Sequence, residues 1–423
     1  MNRSELTRDA RRILAAQALR ALAYGFGSVL LGVTLDERGF SSTEAGFIIA
    51  AVVAGTVVAS VLVARYADRF GRRRSYVVLY VLLMCVGVAF AVSDQAWLLI
   101  LFALTGALST EVVESGPFTS LEQAMLATDL TGKKRVRGFG IYNAVASAAG
   151  SIGALAAAGL SLLHDWWPNA PGDGWFFLVF VPVALAGALV AHSLTDAIEV
   201  APTLDRRPKS AERLGPSRGI VVRLSALFAL DSFGGGFVVQ AFIAFWLAQR
   251  FNASLGTVGV VFFAVGVLQT GSFLVAPRLA ERYGLLRTMV FTHLPSNVLL
   301  AAIAFAPTLG VAVGLLLART LLSQMDVPTR QAYVMALVTP EERTPAAAYT
   351  NTARYVVRPI GPVLAGATQS IALGLPFLIA GSIKSVYDVI LWRWFSHVEL
   401  PAEPEPIENA DTAGAVVARK EAS

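Results

Sequence analysis

The sequence is poor in charged residues. Asp, Glu, Lys and Arg make up 15% of its 423 residues, whereas 55% are hydrophobic; a soluble domain carries about 25% charged residues. The deficit extends along the whole chain, which excludes a soluble protein with one apolar anchor and predicts an integral membrane protein. The net charge of +5 does not indicate nucleic-acid binding, because Lys and Arg fall in short loops between apolar runs, where membrane topology alone places them.

Cysteine and metal-ligand patterns are also scarce. Cys85 is the single cysteine, which excludes an internal disulfide, and the four histidines are far apart and lack metal-ligand spacing. No phosphate-binding loop and no catalytic motif is present. We therefore expect no enzyme, no metal and no cofactor, and any transport would be secondary, driven by a gradient or by the substrate itself.

Long apolar runs, by contrast, are abundant. A membrane-crossing helix needs about 20 mostly apolar residues, and twelve runs meet this length, which predicts an all-α polytopic membrane protein that lies in the bilayer. The predicted spans lie near residues 13–35, 43–66, 75–93, 96–121, 136–162, 175–194, 220–248, 255–279, 288–306, 309–337, 346–373 and 376–396.

The loops between these runs differ in charge. Alternate loops hold most of the Lys and Arg residues, including the stretch "ARYADRFGRRRS" at 64–75, whereas the opposite loops carry only Arg38 and Arg250. Positive residues favour the cytoplasmic side, so both termini are predicted to be cytoplasmic. The expected organisation is a six-helix bundle over 1–194, a cytoplasmic linker over 195–219, a second six-helix bundle over 220–396 and a disordered cytoplasmic tail over 397–423.

Two ungapped matches indicate that the chain is duplicated. Residues 64–75 align with "PRLAERYGLLRT" at 277–288, and residues 123–153 align with 331–361. In the first match Asp68 aligns with Glu281 and Gly71 aligns with Gly284. Two matches at corresponding places in both halves predict a repeated six-span unit.

The loop at 64–75 resembles the signature of the major facilitator superfamily, "G-x-x-x-D-R-x-G-R-R/K", although Ala64 stands where that family usually has glycine. The resemblance covers roughly residues 10–396. It implies that the loop charges latch the loop against neighbouring helix ends; topology alone is the alternative explanation. The loop residues with this expected gating or structural role are Asp68, Arg69, Gly71, Arg72, Arg73, Glu281, Arg282 and Gly284.

Two further motifs are similar to those of the same family. "LLLARTLLSQMDVP", which contains Arg319, resembles the arginine-bearing motif of the fourth span, here in span ten. "RPIGPVLAG" in span eleven resembles part of the glycine-proline motif of exporters, which usually lies in span five. Span five here carries "GSIGALAAAG" without the proline, so the exporter motif is only partial.

Ionisable residues within the spans are the candidate functional groups, because charge in hydrocarbon is costly. The resemblance implies that spans one, four, seven and ten line a central cavity. Glu111 and Glu114 would share a face of span four, and with Asp231 they are candidate proton carriers. The complete set of expected pathway residues is Arg20, Tyr24, Glu111, Glu114, Asp231, Gln240, Arg319 and Asp326.

Structural pairing is the competing interpretation of these charges. Arg319 with Asp326, or Arg354 with Asp231, would then form static salt bridges between helices. Arg354 and Arg358 are expected to have such a structural role. The glycines of "SFGGGF" in span seven would permit either bending or close helix packing.

These features predict a secondary active transporter. The first expectation is proton-coupled export of a small organic or toxic compound by antiport in a bacterial inner membrane, by a monomer. The alternative is transport, in either direction, of a small anion or oxyanion, including metalloid species, bound by buried arginines. A minor alternative is a membrane sensor that transports nothing.

Overall fold

The computed structural model describes residues 7–111, 116–129, 133–167, 169–199, 215–339 and 342–398. These residues form α-helices connected by short turns, and two 3₁₀ helices cover Asp173–Val179 and Asp196–Ile198. The first half contains α1 Arg8–Glu37, α2 Ser42–Phe70, α3 Arg72–Val92, α4 Ala96–Ala103, α5 Pro117–Asp129, α6 Lys133–Trp166 and α7 Phe180–His192. The second half contains α8 Arg218–Gly236, α9 Gln240–Phe251, α10 Leu255–Tyr283, α11 Leu285–Ile303, α12 Leu309–Ser323, α13 Asp326–Leu337, α14 Arg343–Val357, α15 Ile360–Gln369 and α16 Leu375–Phe395.

Helices occur in all twelve predicted spans. Within the described ranges, nine helical segments are long and apolar enough to cross a membrane. The other three predicted spans are the broken α4–α5 and α14–α15 segments and α11, which contains Pro295 and His293. Most of the linker expected at 195–219 and almost all of the tail expected at 397–423 lie outside the described residues.

Four of the predicted spans are broken where a continuous helix was expected. Span four stops at Ala103 and resumes at Pro117, span seven breaks after Gly236, span ten breaks after Ser323 and span eleven breaks before Ile360. Breaks of this kind are tolerated in a membrane protein where the freed backbone groups face protein or a wet cavity.

The duplicated loop has the same backbone conformation in both halves. Gly71 joins α2 to α3 with φ 100°, and Gly284 joins α10 to α11 with φ 88°. Only glycine adopts such dihedral angles without strain. Both glycines therefore allow a sharp reversal between two helices.

The two halves of the chain meet near the loops that were predicted to lie on the side of the membrane opposite the cytoplasm. Gly46 of α2 packs against the backbone of Pro362 in α15, and Ser42 donates a hydrogen bond to Gln249 over 3.1 Å. Toward the arginine-rich loops the halves separate around a cavity of about 530 Å³, whose wall includes Ser60 and Gln331. With the predicted topology, the cleft therefore opens toward the cytoplasm.

Candidate functional site

A second cavity, of about 240 Å³, lies deeper between the halves. The breaks in spans seven, ten and eleven place polar side chains on its wall. Among the residues that the structure describes, the charged or titratable side chains on the wall of this cavity are Glu111, Asp231, His293, Arg319, Asp326, Arg330, Arg354, Arg358 and Lys384.

Asp231 of α8 is the centre of a buried charge cluster. Its Oδ1 contacts Nζ of Lys384 from α16, and its Oδ2 lies 3.5 Å from Nη1 of Arg330 in α13. The same Arg330 nitrogen lies 2.9 Å from Asp326. All four side chains are less than a tenth exposed. Buried carboxylates with cationic partners remain ionised, so this arrangement does not favour Asp231 as a proton carrier.

His293 of α11 extends the cluster to another carboxylate. Nδ1 of His293 lies 3.0 Å from Oδ1 of Asp388, while its Nε2 lies 3.8 Å from Oδ1 of Asp231. Asn297 donates a hydrogen bond to Asp388 over 2.8 Å. The imidazole ring therefore joins two buried aspartates, one on α8 and one on α16.

Arg319 of α12 lies on the cavity wall. Among the described residues, no carboxylate lies within ion-pair distance of its guanidinium. Its Nε is buried and has no hydrogen-bond partner in that part of the chain. The static Arg319–Asp326 bridge is not formed, because Asp326 pairs with Arg330 instead. A guanidinium in this state is suited to bind a carboxylate or an oxyanion.

Glu111 and Arg358 join the two halves across the cavity. Nη2 of Arg358 donates to Glu111, which lies in the irregular segment after α4 rather than on a helix face. Glu114 lies outside the described residues, so its expected position next to Glu111 stays a prediction. Gln240 lines the cavity and donates to Ser28 over 2.7 Å.

The glycines of span seven serve both purposes that the sequence left open. The chain bends after Gly236, at Phe237 to Val239. A side chain at Gly236 would collide with the backbone of Arg358 and Gly361. The bend and the close packing therefore occur at the same point.

The described cavity wall is positively charged. It carries five Lys or Arg side chains against three carboxylates, before His293 is counted. Asp388, which lies behind His293 and not on the wall, lowers the excess from two positive charges to one. Because charge is expensive at this depth, the buried guanidinium of Arg319, which has no carboxylate partner among the described residues, favours an anionic ligand.

Arg20 and Tyr24 do not line either cavity, contrary to expectation. Nη2 of Arg20 pairs with Oε2 of Glu122 over 2.6 Å, and Glu122 is fully buried. Tyr76 and Tyr142 both donate to Glu122. Tyr24 donates to the backbone oxygen of Ala107. In the first half the ion pair is therefore enclosed by aromatic side chains.

The arginine-rich loop contacts helix ends of its own half. Asp68 accepts from Arg72 over 2.8 Å, and Arg72 also donates to the backbone of Ala124 in α5. Glu199 accepts from the backbone N–H groups of Arg72 and Arg73 at the start of α3. The other residues of this motif are exposed: Arg69 in the first half, and Glu281, Arg282 and Gly284 in the aligned loop of the second half. The expected latch role stays a prediction.

Sequence reasoning missed several site residues: Glu122, His293, Asn297, Arg330, Lys384 and Asp388. Asp388 and Lys384 belong to span twelve, which the resemblance did not place on the cavity. One signal was available, since the ungapped match at 123–153 and 331–361, extended by one residue, aligns Glu122 with Arg330. In the first half the first span carries the cation, Arg20, and the fourth span the anion, Glu122. In the second half the first span carries the anion, Asp231, and the fourth span the cation, Arg330.

Comparison with known proteins agrees with this geometry. The sequence model of the Major Facilitator Superfamily matches residues 13–362. The chain belongs to that superfamily. It is a multi-pass membrane transporter with the twelve-helix architecture of the family rather than an enzyme, which confirms the resemblance inferred from the loop motif.

Individual relatives are distant. An uncharacterized membrane protein of Saccharomyces cerevisiae is 24% identical over 426 residues, which cover 93% of this chain and 95% of that protein. The structure of a mutant of the nucleoside transporter NupG has a TM-score of 0.70 at 12% identity and covers 92% of this chain and 99% of its own. The inward open xylose transporter XylE from E. coli has a TM-score of 0.67 at 14% identity and covers 96% and 99%. These identities establish the shared fold alone.

Proposed function

We propose that this chain is a secondary transporter that carries a small organic anion or oxyanion across the membrane by alternating access. The observation that carries the proposal is the positive cavity wall, in which Arg319 has no carboxylate partner among the described residues. An anion bound there gains charge-assisted hydrogen bonds and compensates the excess charge. This favours the second of the two functions predicted from sequence.

The conformation supports alternating access. The halves are in contact near the predicted outer loops and apart near the arginine-rich loops, which is the arrangement of an inward-facing state. Similar solved structures include the inward open state of XylE, a sugar transporter. Proton antiport, export of a toxic compound, a monomeric state and a bacterial inner membrane stay predictions.

The experiment is anion binding by the purified full-length protein, measured as thermal stabilisation. The probes are lactate, succinate, citrate, phosphate and arsenate, with uridine and xylose as neutral compounds. We expect at least one anion to stabilise the protein. Arg319→Gln should weaken its binding by about 10-fold or more, the effect of losing a charged hydrogen bond of about 1.5–3 kcal/mol.

Arg250→Gln is the matched control, since Arg250 is an exposed arginine near the outer end of α9. It should leave anion binding unchanged. Stabilisation by uridine or xylose but by none of the anions would refute the proposal. Equal anion binding by the wild type and Arg319→Gln would refute it as well.

A further inference from the structure

Lys384 and His293 approach the same oxygen of Asp231. Nζ of Lys384 contacts Oδ1 of Asp231, and Nε2 of His293 lies 3.8 Å from the same atom. The other oxygen, Oδ2, faces Arg330. Lys384 therefore makes the closer contact with Oδ1, and His293 lies further from the same oxygen.

The orientation of the His293 ring identifies the nitrogen that can titrate. A carboxylate accepts hydrogen bonds and does not donate them, so we assign a proton to Nδ1, which donates to Asp388 3.0 Å away. The amide nitrogen of Asn297, 3.1 Å from the same Nδ1, donates to Asp388 instead. Nε2 is then the nitrogen that gains or loses a proton. It faces Asp231 and the cavity.

Charged and titratable groups surround this ring from four helices. They are Asp231 on α8, Arg319 on α12, Asp326 and Arg330 on α13, and Lys384, Tyr387 and Asp388 on α16. Asp231 and Asp388 place two negative charges beside the ring, and Lys384 and Arg330 place two positive charges beside Asp231. The balance therefore depends on whether Lys384 stays on Asp231.

We propose that His293 binds the proton that accompanies the anion. An anion that draws Lys384 away from Asp231 leaves Oδ1 to His293, and Nε2 then takes one proton from water in the cytoplasmic cleft. The proton balances the charge of a monovalent anion, so the anion and the proton cross the membrane together. This inference rests on the proposed function and implies symport rather than the antiport expected from sequence.

The first half offers a comparison. The alignment of 64–75 with 277–288, continued without a gap, places Tyr80 opposite His293. The hydroxyl of Tyr80 lies 3.3 Å from the hydroxyl of Tyr76, and Tyr80 is fully buried. A tyrosine hydroxyl does not ionise near neutral pH. Tyr80 therefore cannot play in the first half the role proposed for His293 in the second.

The test measures proton uptake on anion binding. A pH-sensitive dye reports protons while lactate, succinate, citrate, phosphate or arsenate is added to the full-length protein in weakly buffered solution at about pH 5 to 8, where histidine titrates. Each probe is corrected by a blank without protein. We expect wild type to take up protons as the anion binds, and its affinity to fall as pH rises.

His293→Gln should still bind the anion but without proton uptake, and its affinity should lose the histidine-dependent slope of up to about tenfold per pH unit. Tyr80→Phe is the matched control and should keep the wild-type slope. Proton release by the wild type, or an unchanged slope in His293→Gln, would overturn the inference. If His293→Gln fails to fold, anion binding by the wild type without proton uptake still overturns the inference.

Failure of the inference and failure of the proposed function give different results. Anion binding that depends on Arg319 but takes up no proton would refute only the role of His293. The absence of binding by every anion, with stabilisation by uridine or xylose, would refute the proposed function and the inference together.

Discussion

The enclosed ion pair of the first half makes a strong prediction about stability. Arg20 and Glu122 are 3% and 0% exposed, and their charged atoms lie 2.6 Å apart. At an effective dielectric constant of about 20, such a contact corresponds to about 6 kcal/mol of gross attraction. Glu122→Gln removes the negative charge and leaves Arg20 buried without compensation. We expect a loss of about 3–5 kcal/mol in the free energy of unfolding.

Asp326→Asn is the matched comparison in the second half. It removes a carboxylate 2.9 Å from Arg330, but that guanidinium keeps Asp231 at 3.5 Å. The destabilisation should therefore be clearly smaller than in Glu122→Gln. Both variants can be measured by thermal unfolding of the purified protein, followed by intrinsic fluorescence.

A double variant tests the cause of the effect. Arg20→Met combined with Glu122→Leu removes both charges, and hydrophobic replacement of a buried pair is often neutral. It should recover much of the stability lost in Glu122→Gln. Two results would contradict a larger cost for breaking the enclosed pair. One is a Glu122→Gln variant as stable as the wild type, and the other is an Asp326→Asn variant less stable than Glu122→Gln.

Three further predictions concern contacts that join separate elements. Glu111→Arg should abolish anion flux into proteoliposomes, and Glu111→Arg with Arg358→Glu should restore part of it; no recovery would count against a direct pair. Glu199→Ala removes the acceptor for two N–H groups at the start of α3 and should cost about 1 kcal/mol of unfolding free energy, whereas an unchanged melting temperature would contradict it. Hydrogen bonds from Ser217 and Gly215 hold the pKa of Glu342 below its usual value. The stability that Glu342 contributes should therefore be complete above the unfolded pKa of about 4.3, and it should be lost as the pH falls through the lower folded pKa. If the melting temperature of Glu342→Gln depended on acid pH in the same way as that of the wild type, this prediction would be refuted.

Much of the fold follows from the sequence because the bilayer restricts it. Apolar runs about 20 residues long indicate helices, and the arginine-rich loops indicate orientation. Gly71 and Gly284 could be identified as equivalent turns from the alignment alone. The breaks at Ala103, Gly236 and Ser323 could not, because hydropathy measures the environment of a residue and not the continuity of its helix.

The site was less predictable, since pairing depends on helix rotation. Arg20 was expected on the cavity, but its partner Glu122 lies on the enclosed side of the first half. Asp231 was expected on the cavity as a candidate proton carrier; it lies on the wall of the deeper cavity, and its role stays a prediction. Its partners Lys384 and His293 come from spans twelve and nine, which no spacing rule connects to span seven.

The most direct test of the account is a high-resolution structure with the best-binding anion of the panel. The account predicts anion density beside Arg319 in the deeper cavity, with Lys384 displaced from Asp231. Anion density confined to the cytoplasmic cleft, near Ser60 and Gln331, with the Lys384–Asp231 contact intact, would contradict it.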